Sequence, residues 1–300
     1  MDYIHLATDL KISRIVHGHM RLAQWNLSNQ QLVAFTEQVI GTGINAFDHA
    51  DIYGDYRCEK LFGDALRLKP GLREEILIIT KCGIQLISDR FPTRKLKHYE
   101  YSYEHIVSSV ERSLKNFNTD YIDLLLLHRP APLFDPEKVA RAFSYLKEAG
   151  KVLHFGVSNF TPGQVEMLGS YTSEKLVTNQ VELSPYCLEQ FENGNIDYCL
   201  KKRIKPMAWS PLARGKLGNQ ADGKGERIIR ALEEVAAGLQ VGPIEKIIYS
   251  WILNHPVSAI PIVGSGKLDR VKQAVESLDI VMSTEQWYKI YTASTGKEVP

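Results

Sequence analysis

Short apolar runs recur along the chain, and nearly every one ends in a polar or reactive residue. The runs close on His17-Gly18, Asp48, Lys81, His128, Ser158-Asn159, Gln180, Trp209-Ser210 and Gly264-Ser265. In a buried strand the apolar residues build the core, whereas a polar residue at the carboxyl end faces whatever the sheet binds. The pattern therefore predicts one site that is assembled from the ends of many strands.

Segments of helical periodicity separate the apolar runs. Strands are predicted at residues 14–16, 44–47, 75–80, 121–127, 152–157, 175–178, 204–208 and 259–263. Helices are predicted near residues 29–41, 57–68, 103–117, 136–150, 188–202, 226–239, 243–254 and 267–277, with a short helix starting at Thr161-Pro162 and a C-terminal one from about 284. An N-cap at Ser28, a stop at Gly41 and a first-turn proline at Pro162 support these limits. Two long loops are expected, at residues 83–101 and 211–225.

Strand followed by helix, repeated eight times, predicts parallel strands because each connection must cross back over the sheet. The strands are apolar throughout, as expected when both faces of a sheet are covered. We therefore predict an α/β fold, a single (β/α)8 TIM barrel over residues 1–300 with additional C-terminal helices. A doubly wound open sheet is the alternative.

Composition gives no sign of a macromolecular partner. Of the 300 residues, 44% are hydrophobic and 24% are charged, and the formal net charge is +1. This is ordinary globular composition, with enough residues for a large core. The basic cluster of Arg94, Lys95 and Lys97 is typical of a solvated loop, so no nucleic-acid partner is predicted. The apolar stretches are too short to span a membrane, and no membrane association is predicted.

The cysteines and the first residues predict a cytoplasmic protein. Residues 1–11 contain two aspartates and no apolar block, unlike a secretory signal. The cysteines are Cys58, Cys82, Cys187 and Cys199. They show neither CxxC spacing nor partner histidines at zinc intervals, so we expect reduced thiols. No metal site is predicted, although His17 and His19 invite a check.

Asp48, Tyr53 and Lys81 form a combination that suggests proton transfer. Lys81 directly follows a predicted strand, so its ammonium needs a charge partner at the edge of the core, and Asp48 is suited to this. Tyr53 lies five residues after Asp48, in a loop that could fold over the barrel mouth. For a tyrosine, with a pKa of about 10, serving as an acid near neutral pH asks for a drop of roughly 2 to 3 units, or about 3 to 4 kcal/mol. One ammonium about 4 Å away supplies about 4 kcal/mol at an effective dielectric of about 20.

The remaining strand ends carry groups that suit binding. His128 could hold a substrate oxygen, or it could cap a backbone carbonyl. Ser158, Asn159 and Gln180 suit a carboxamide and Trp209 suits stacking on a flat ring, whereas turn side chains and a core aromatic are the structural alternatives.

Gly264-Ser265-Gly266 precedes a predicted helix with two nearby cations, Lys267 and Arg270. A helix N-terminus with small residues and cations is suited to an anion such as phosphate. The segment is not a dinucleotide-binding Gly-rich turn, because Asp269 stands where the third glycine should be and the C-terminus follows too closely.

In order along the chain, these motifs resemble the aldo-keto reductase superfamily, and most of all its bacterial oxidoreductase branch. The motifs are Phe47-Asp48-His49-Ala50-Asp51-Ile52-Tyr53-Gly54, Ile79-Thr80-Lys81, Asp123-Leu124-Leu125-Leu126-Leu127-His128, Gly156-Val157-Ser158-Asn159-Phe160, Asn179-Gln180-Val181-Glu182 and Ala208-Trp209-Ser210-Pro211-Leu212. The resemblance implies a (β/α)8 barrel that binds NADP(H) in an extended pose without a Rossmann domain.

The resemblance also implies a role for each matched residue. Tyr53 would protonate a carbonyl oxygen while hydride reaches its carbon. Lys81, paired with Asp48, would lower the pKa of Tyr53, and His128 would orient the carbonyl. The cofactor would contact Gly18, Ser158, Asn159, Gln180, Trp209, Ser210, Pro211, Leu212, Gly264, Ser265, Gly266, Lys267 and Arg270. In this set, the strand-end amides would hold the nicotinamide, the loop after Trp209 would cover the pyrophosphate, and the Ser265 segment would meet the 2′-phosphate.

Some positions depart from the family pattern. Many relatives have a lysine at the position of Gly264 and a Glu-Asn pair where Gln273 and Ala274 stand. NADP(H) is therefore the expected cofactor, with NAD(H) as the second choice. Arg129 either favours anionic substrates or faces solvent, and Met20 replaces an aromatic wall of the substrate site.

The leading hypothesis is an NADP(H)-dependent oxidoreductase that reduces aldehyde or ketone carbonyls to alcohols, with a small carbonyl compound as its partner. One alternative is a non-catalytic, NADP(H)-binding regulatory subunit of the same fold. Another is a Schiff-base aldolase that uses Lys81 as its nucleophile. The sequence makes no prediction about the oligomeric state.

Overall fold

The computed structural model describes residues 1–218 and 223–300, and most of its strands close into a barrel. The strands are β1 (Tyr3–Ala7), β2 (Leu10–Ser13), β3 (Val16–Gly18), β4 (Ala46–Asp48), β5 (Leu77–Cys82), β6 (Ile84–Gln85), β7 (His98–Tyr99), β8 (Ile122–Leu127), β9 (Val152–Ser158), β10 (Leu176–Glu182), β11 (Met207–Trp209) and β12 (Ile260–Val263). The helices are α1 (Asn29–Gly41), α2 (Tyr53–Tyr56), α3 (Cys58–Leu66), α4 (Tyr103–Phe117), α5 (Pro136–Glu148), α6 (Pro162–Gly169), α7 (Glu189–Glu192), α8 (Asn195–Lys202), α9 (Gly223–Leu239), α10 (Ile244–Leu253), α11 (Leu268–Glu276) and α12 (Thr284–Thr295). Short 3-10 turns lie at Leu22–Gln24, Pro70–Arg73, Ala213–Gly218 and Ser277–Asp279.

Eight parallel strands form the barrel in the order β3, β4, β5, β8, β9, β10, β11 and β12. The last strand pairs with the first through Ile262 beside Val16, which closes the cylinder. This closure confirms the predicted (β/α)8 TIM barrel and excludes the doubly wound open sheet. Because all eight strands run in the same direction, their carboxyl ends meet at one rim, where TIM barrels carry their ligand sites.

The antiparallel hairpin of β1 and β2 fills the amino-terminal end of the barrel. Its buried Leu6, Leu10 and Ile12 pack in one apolar cluster with Val16 and Ala46, which begin two barrel strands. The sequence did not predict this hairpin, because its apolar residues are too few to form a block. With this end filled, the polar side chains at the carboxyl rim surround the open end.

Several predicted boundaries differ from the observed ones. The first barrel strand is β3 and not residues 14–16, and β10 runs on to Glu182, so that Gln180 lies inside a strand and not at its end. The predicted helix at 188–202 is two helices, interrupted by Gly194 with a left-handed φ of 79°. The 83–101 loop contains the β6–β7 hairpin. Of the predicted 211–225 loop, residues 219–222 lie outside the described residues.

An apolar layer rich in aromatic side chains lies between the barrel and helices α1, α3 and α4. Phe35, Phe47, Phe62 and Phe117 belong to this buried cluster. The cluster borders the rim at β3 and β4, which places it directly behind the candidate site. Within the described residues, no helix combines the length and the apolar character that a membrane span needs.

Candidate active site

The four residues predicted to act in catalysis converge at the carboxyl rim. Asp48 ends β4, Lys81 lies near the end of β5 and His128 follows β8. The Lys81 Nζ atom lies 2.7 Å and 2.8 Å from the two carboxylate oxygens of Asp48 and 3.2 Å from the hydroxyl oxygen of Tyr53. The Tyr53 and His128 rings meet edge to face, with centroids 6.0 Å apart.

The Lys81 ammonium is held by protein groups on every side. Its side chain is 1% exposed, and it donates to Asp48, to Tyr53 and to the backbone oxygen of His49 at 2.7 Å. Burial acts to lower the pKa of Lys81, but the Asp48 carboxylate and Tyr53 outweigh burial and raise it above the ordinary value. Lys81 therefore remains a cation at neutral pH, and a cation is a poor nucleophile.

A strained turn directs Tyr53 towards Lys81. Gly54, Asp55 and Tyr56 have successive left-handed φ values of 59°, 56° and 60°. A Cβ atom on Gly54 would lie 2.6 Å from the Cys58 Sγ atom, so the turn requires glycine there. Left-handed non-glycine residues cost energy and cluster at functional sites. The turn therefore carries a local cost in conformational energy, and it fixes the position of the Tyr53 phenol.

The acidity of Tyr53 differs from the sequence-based expectation. Lys81 acts to lower the pKa of Tyr53, as expected, but burial is the larger effect and the pKa lies above its usual value. The expected net decrease is therefore wrong for the protein alone, because the phenolate form loses more from burial than one ammonium returns. Tyr53 consequently stays protonated at neutral pH, which is the state that a proton donor needs.

His128 is a neutral histidine with a free ring nitrogen. Burial, followed by the charge of Lys81, lowers its pKa well below the usual range. Its Nδ1 atom is buried without a hydrogen-bond partner. Neither ring nitrogen bonds a backbone carbonyl within the described part of the chain, so the capping interpretation has no support. The other ring nitrogen, Nε2, has no partner among the described residues either, and it is not buried, so it can offer a hydrogen bond to a ligand beside Tyr53.

Ser158, Asn159 and Trp209 form a connected polar network. The Trp209 indole donates to the Asn159 side-chain oxygen at 3.0 Å. The Asn159 amide nitrogen therefore donates to the Ser158 hydroxyl at 2.8 Å, and that hydroxyl donates to the backbone oxygen of Gln180, also at 2.8 Å. Asn159 has a left-handed φ of 64°, which turns its side chain back over the rim. The predicted trio with Gln180 is thus brought together.

Gln180 makes a contact that the sequence did not indicate. Its amide nitrogen donates to an Asp48 oxygen at 2.7 Å, and because a carboxylate only accepts, the orientation of the amide is fixed. The amide oxygen has no donor among the described residues. A carboxamide ligand has N–H groups that would fit this oxygen, so the donor set suits a nicotinamide.

Two arginines flank Trp209, which was expected to stack on a flat ring. The guanidinium carbons of Arg214 and Arg129 lie 4.6 Å and 5.6 Å from its ring centroid. Arg214 also pairs with Glu182 at 3.2 Å. Arg129 is thus near the site mouth and does not simply face solvent. Met20, which replaces the aromatic wall of the substrate site, is 52% exposed.

The loop after Trp209 adopts an unusual backbone. Ser210, Ala213 and Arg214 all have left-handed φ values, between 52° and 55°. Pro211 is buried and Leu212 is partly buried, so these two predicted cofactor residues anchor the loop to the core.

The loop between β12 and α11 carries the remaining predicted cofactor residues. The Ser265 hydroxyl accepts from the Lys267 backbone nitrogen at 3.2 Å, which shapes the turn before the helix. Gly264, Lys267 and Arg270 are exposed. Close packing restricts two glycines here, since a Cβ atom on Gly18 would lie 2.7 Å from Ile262 and one on Gly266 would lie 2.7 Å from the Trp25 ring.

Three histidines behind the rim were not identified as one group from the sequence. His17, His19 and His49 are buried and bonded to one another. Their signal was the spacing of two residues in extended chain at the end of β3, which places His17 and His19 on one face. The third partner could be found only from the fold. In the part of the chain that the structure describes, no three His, Cys, Asp or Glu side chains are arranged to hold a metal ion.

A comparison with protein families decides the class of the protein. The model of the aldo/keto reductase family matches residues 14–294. The chain belongs to the aldo/keto reductase family. It is 51% identical over 300 residues to the uncharacterized oxidoreductase YcsN of Bacillus subtilis (strain 168), with all of both chains covered. It is 40% identical over 300 residues, again with all of both chains covered, to a 6-dehydroglucose reductase of Agrobacterium fabrum.

Solved structures show the same architecture. The glycerol dehydrogenase of Gluconobacter oxydans superimposes with a TM-score of 0.84 at 22% sequence identity, covering 100% of this chain and 98% of that one. At this identity the likeness concerns the fold alone. Together, the family and its relatives identify this aldo-keto reductase as an oxidoreductase that acts on carbonyl groups.

Proposed function

We propose that the protein reduces an aldehyde or ketone to an alcohol with NADPH, and that Tyr53 donates the proton. The observation that carries the proposal is the Lys81 ammonium, shared between the Asp48 carboxylate and the Tyr53 hydroxyl. This arrangement pairs a protonated phenol with a fixed positive charge. It is suited to giving up a proton at the moment when negative charge develops on a neighbouring oxygen.

The residues of the chain divide the work around the carbonyl group. NADPH supplies the hydride when it is bound. Tyr53 and His128 hold the carbonyl oxygen by hydrogen bonds, and the Tyr53 proton moves to that oxygen as charge builds up. Lys81 stabilises the phenolate that remains, and Asp48 keeps the lysine in place. In the reverse direction the same groups would take up the proton.

The donor set fits the proposed cofactor. The Gln180 amide oxygen, oriented by Asp48, would accept from the nicotinamide carboxamide, and the network of Ser158 and Asn159 would hold its other side. The loop of Ser210, Pro211 and Leu212 would cover the pyrophosphate. Gly18 is proposed to contact the cofactor as well, since it ends β3 at the same rim.

NADP(H) is proposed over NAD(H) because of the loop between β12 and α11. The exposed Lys267 and Arg270 cations at the start of α11, together with Ser265, suit a 2′-phosphate. Gly264 is exposed and allows a ligand to approach the backbone of this loop, whereas Gly266 makes room for the Trp25 ring. NAD(H), which lacks the phosphate, would lose these contacts.

The substrate is proposed to be a small polar carbonyl compound. Arg129 and Arg214 flank Trp209 at the mouth of the site and could hold hydroxyl or anionic groups. The relatives named 6-dehydroglucose reductase indicate a sugar aldehyde as the compound class to try first. A cytoplasmic location remains part of the proposal.

The geometry argues against the two alternatives. A Schiff-base aldolase needs a lysine that loses its proton easily, whereas Lys81 is bonded to a carboxylate and has a raised pKa. A regulatory subunit has no need of a positioned acid, whereas the phenol, the ammonium and the imidazole converge here.

The test is a panel of aldehydes and ketones, including sugar aldehydes, followed by the loss of NADPH absorbance, with NADH in parallel. Replacing Tyr53 by Phe should lower kcat/KM at least about 1,000-fold, since both the proton and its hydrogen bond are removed. NADPH binding, measured by calorimetry, should remain within a few-fold. Turnover retained by Tyr53→Phe would refute the acid role. NADPH binding by the wild type without turnover on any compound would favour the regulatory subunit.

A further inference from the structure

Three buried histidines form a hydrogen-bonded unit behind the rim, which we term the histidine chain. His17 Nδ1 lies 3.0 Å from His19 Nε2, and His19 Nδ1 lies 2.8 Å from His49 Nε2. At the other end, His17 Nε2 lies 3.0 Å from the backbone oxygen of Ser265. The histidine chain thus runs without a break from the loop before α11 to the residue that follows Asp48.

The histidine chain lies in an apolar enclosure. The surrounding rings are Trp25, Phe35, Phe47, Phe62 and Phe117. Burial lowers the pKa of His17 to about 4 and the pKa values of His19 and His49 well below the usual range. All three imidazoles are therefore neutral at pH 7, and each has one N–H donor and one bare acceptor nitrogen.

A single carbonyl group fixes the position of every proton in the histidine chain. The Ser265 oxygen only accepts, so His17 must carry its proton on Nε2 and leave Nδ1 bare. That bare nitrogen accepts from His19 Nε2, and by the same argument His19 Nδ1 accepts from His49 Nε2. The order predicts a bare Nδ1 on His49, and this atom is indeed buried with no partner among the residues that the structure describes. A bare acceptor is a smaller loss there than an unpaired N–H group would be.

Both ends of the histidine chain are fastened to residues of the proposed active site. The His49 backbone oxygen accepts from Lys81 at 2.7 Å, and the His19 backbone nitrogen donates to the backbone oxygen of Asp48 at 2.8 Å. At the far end, the Ser265 hydroxyl shapes the turn before α11. Each ring contact joins Nδ1 of one imidazole to Nε2 of the next, so the nitrogens do not converge on one point as the ligands of a metal ion would.

We propose that the histidine chain is a positioning device of fixed polarity, which holds the Ser265 carbonyl inwards and keeps the loop before α11 in register with the Asp48–Lys81 pair. The proposal rests on the assignment of this loop to the cofactor phosphate. The three histidines of the histidine chain do not touch the reacting atoms, so they are positioning residues. Their contribution is to the affinity for NADPH more than to the chemical step.

Paired substitutions at His17 test the proposal. His17→Phe removes both hydrogen bonds while keeping a ring, and the dissociation constant of NADPH should rise about tenfold with kcat changed less than about threefold. His17→Gln keeps a donor near the Nε2 position for the Ser265 carbonyl and should restore most of the affinity. Phe35→Leu is the matched control, because Phe35 packs against His17 without a polar contact. It should lower the melting temperature and leave NADPH affinity unchanged.

A measurement without cofactor separates this proposal from the proposed function. Nuclear magnetic resonance of protein with 15N-labelled histidine at pH 7 should show three buried imidazoles, each protonated at Nε2 and bare at Nδ1. A different tautomer at any of the three would overturn the chain, whatever the protein binds. Correct tautomers with an unchanged NADPH affinity in both His17 variants would overturn the positioning role alone. A wild type that binds no NADPH would instead refute the proposed function.

Discussion

Two buried ion pairs lie at opposite ends of the barrel. Each joins a basic side chain to an aspartate, but the two pairs serve different purposes. Lys81 and Asp48 lie at the carboxyl rim with side chains 1% and 4% exposed, 2.7 Å apart. Arg73 and Asp123 lie where β5 and β8 begin, with side chains 10% and 7% exposed, 2.8 Å apart. Burial and distance do not distinguish the two pairs.

The hydrogen-bond partners do distinguish them. The Arg73 guanidinium donates to Asp123, to the Thr119 hydroxyl and to the backbone oxygens of Ile76 and Tyr121. Asp123 also accepts from a backbone nitrogen, that of Ile78. Every contact is to another part of the fold, so this pair joins segments together.

The Lys81 pair keeps one contact for a group that faces the open rim. Its longest hydrogen bond, 3.2 Å, is to the Tyr53 hydroxyl. An ammonium is a compact charge with rotatable donors, whereas a guanidinium is a rigid fork suited to fixed geometry. The pair with the proposed functional role thus differs from the structural pair in one respect, which is a partner at the open rim.

The largest expected effect is at Lys81. Lys81→Met leaves Asp48 buried without its cation, so unfolding should need about 3 to 5 kcal/mol less free energy, and kcat/KM should fall at least about 1,000-fold. Adding Asp48→Asn should restore most of the stability, since the uncompensated charge is gone, but none of the activity. Urea unfolding and the NADPH assay measure the two quantities. Recovery of activity in the double variant would erase the distinction between the pairs.

A smaller effect, on stability but not on kcat, is expected at the Arg73–Asp123 pair. Arg73→Met leaves Asp123 buried without its cation, so the free energy of unfolding should again fall by about 3 to 5 kcal/mol. The kcat of the protein that remains folded should change less than about twofold, because the hydrogen bonds of Arg73 lie where β5 and β8 begin, away from the rim. Lys60→Met, which removes an exposed pair with Asp64, is the control and should alter neither quantity appreciably. A selective loss of kcat in Arg73→Met would mean that both pairs serve catalysis.

The smallest expected effect is the response of the reaction to pH. Burial holds the pKa of Tyr53 above its ordinary value of about 10, and the donor form is the protonated one. The kcat/KM for carbonyl reduction should therefore be nearly constant from roughly pH 6 to 9 and should decrease only as the pH rises through the pKa of Tyr53. Arg73→Met should show the same profile. A decrease that begins near neutral pH would indicate that Lys81 outweighs burial after all.

Much of the site could be predicted because strand ends are a local property of the sequence. Asp48, Lys81 and His128 each close an apolar run, and parallel strands bring such ends to one rim. The Gln180 contact with Asp48 was missed because β10 continues past the predicted end of its strand. An apolar run locates a strand but fixes its two ends only to within a few residues.

The rest depends on contacts between distant segments. His49 meets His19 across two strands, and His17 meets Ser265 across 248 positions, so neither contact leaves a local pattern. The left-handed turn after Tyr53 includes Tyr56, a bulky residue that rarely adopts this backbone. Arg73 and Asp123 lie 50 positions apart. Their pairing follows only once β5 and β8 are known to be neighbours.

The amino-terminal hairpin has a consequence for traffic through the molecule. Because Leu6, Leu10 and Ile12 close the amino-terminal end of the barrel, any molecule that reaches Lys81 must enter and leave through the carboxyl rim. In the proposed reaction the cofactor and the carbonyl compound would both use this entrance, so the molecule that lies deeper would have to bind first and leave last.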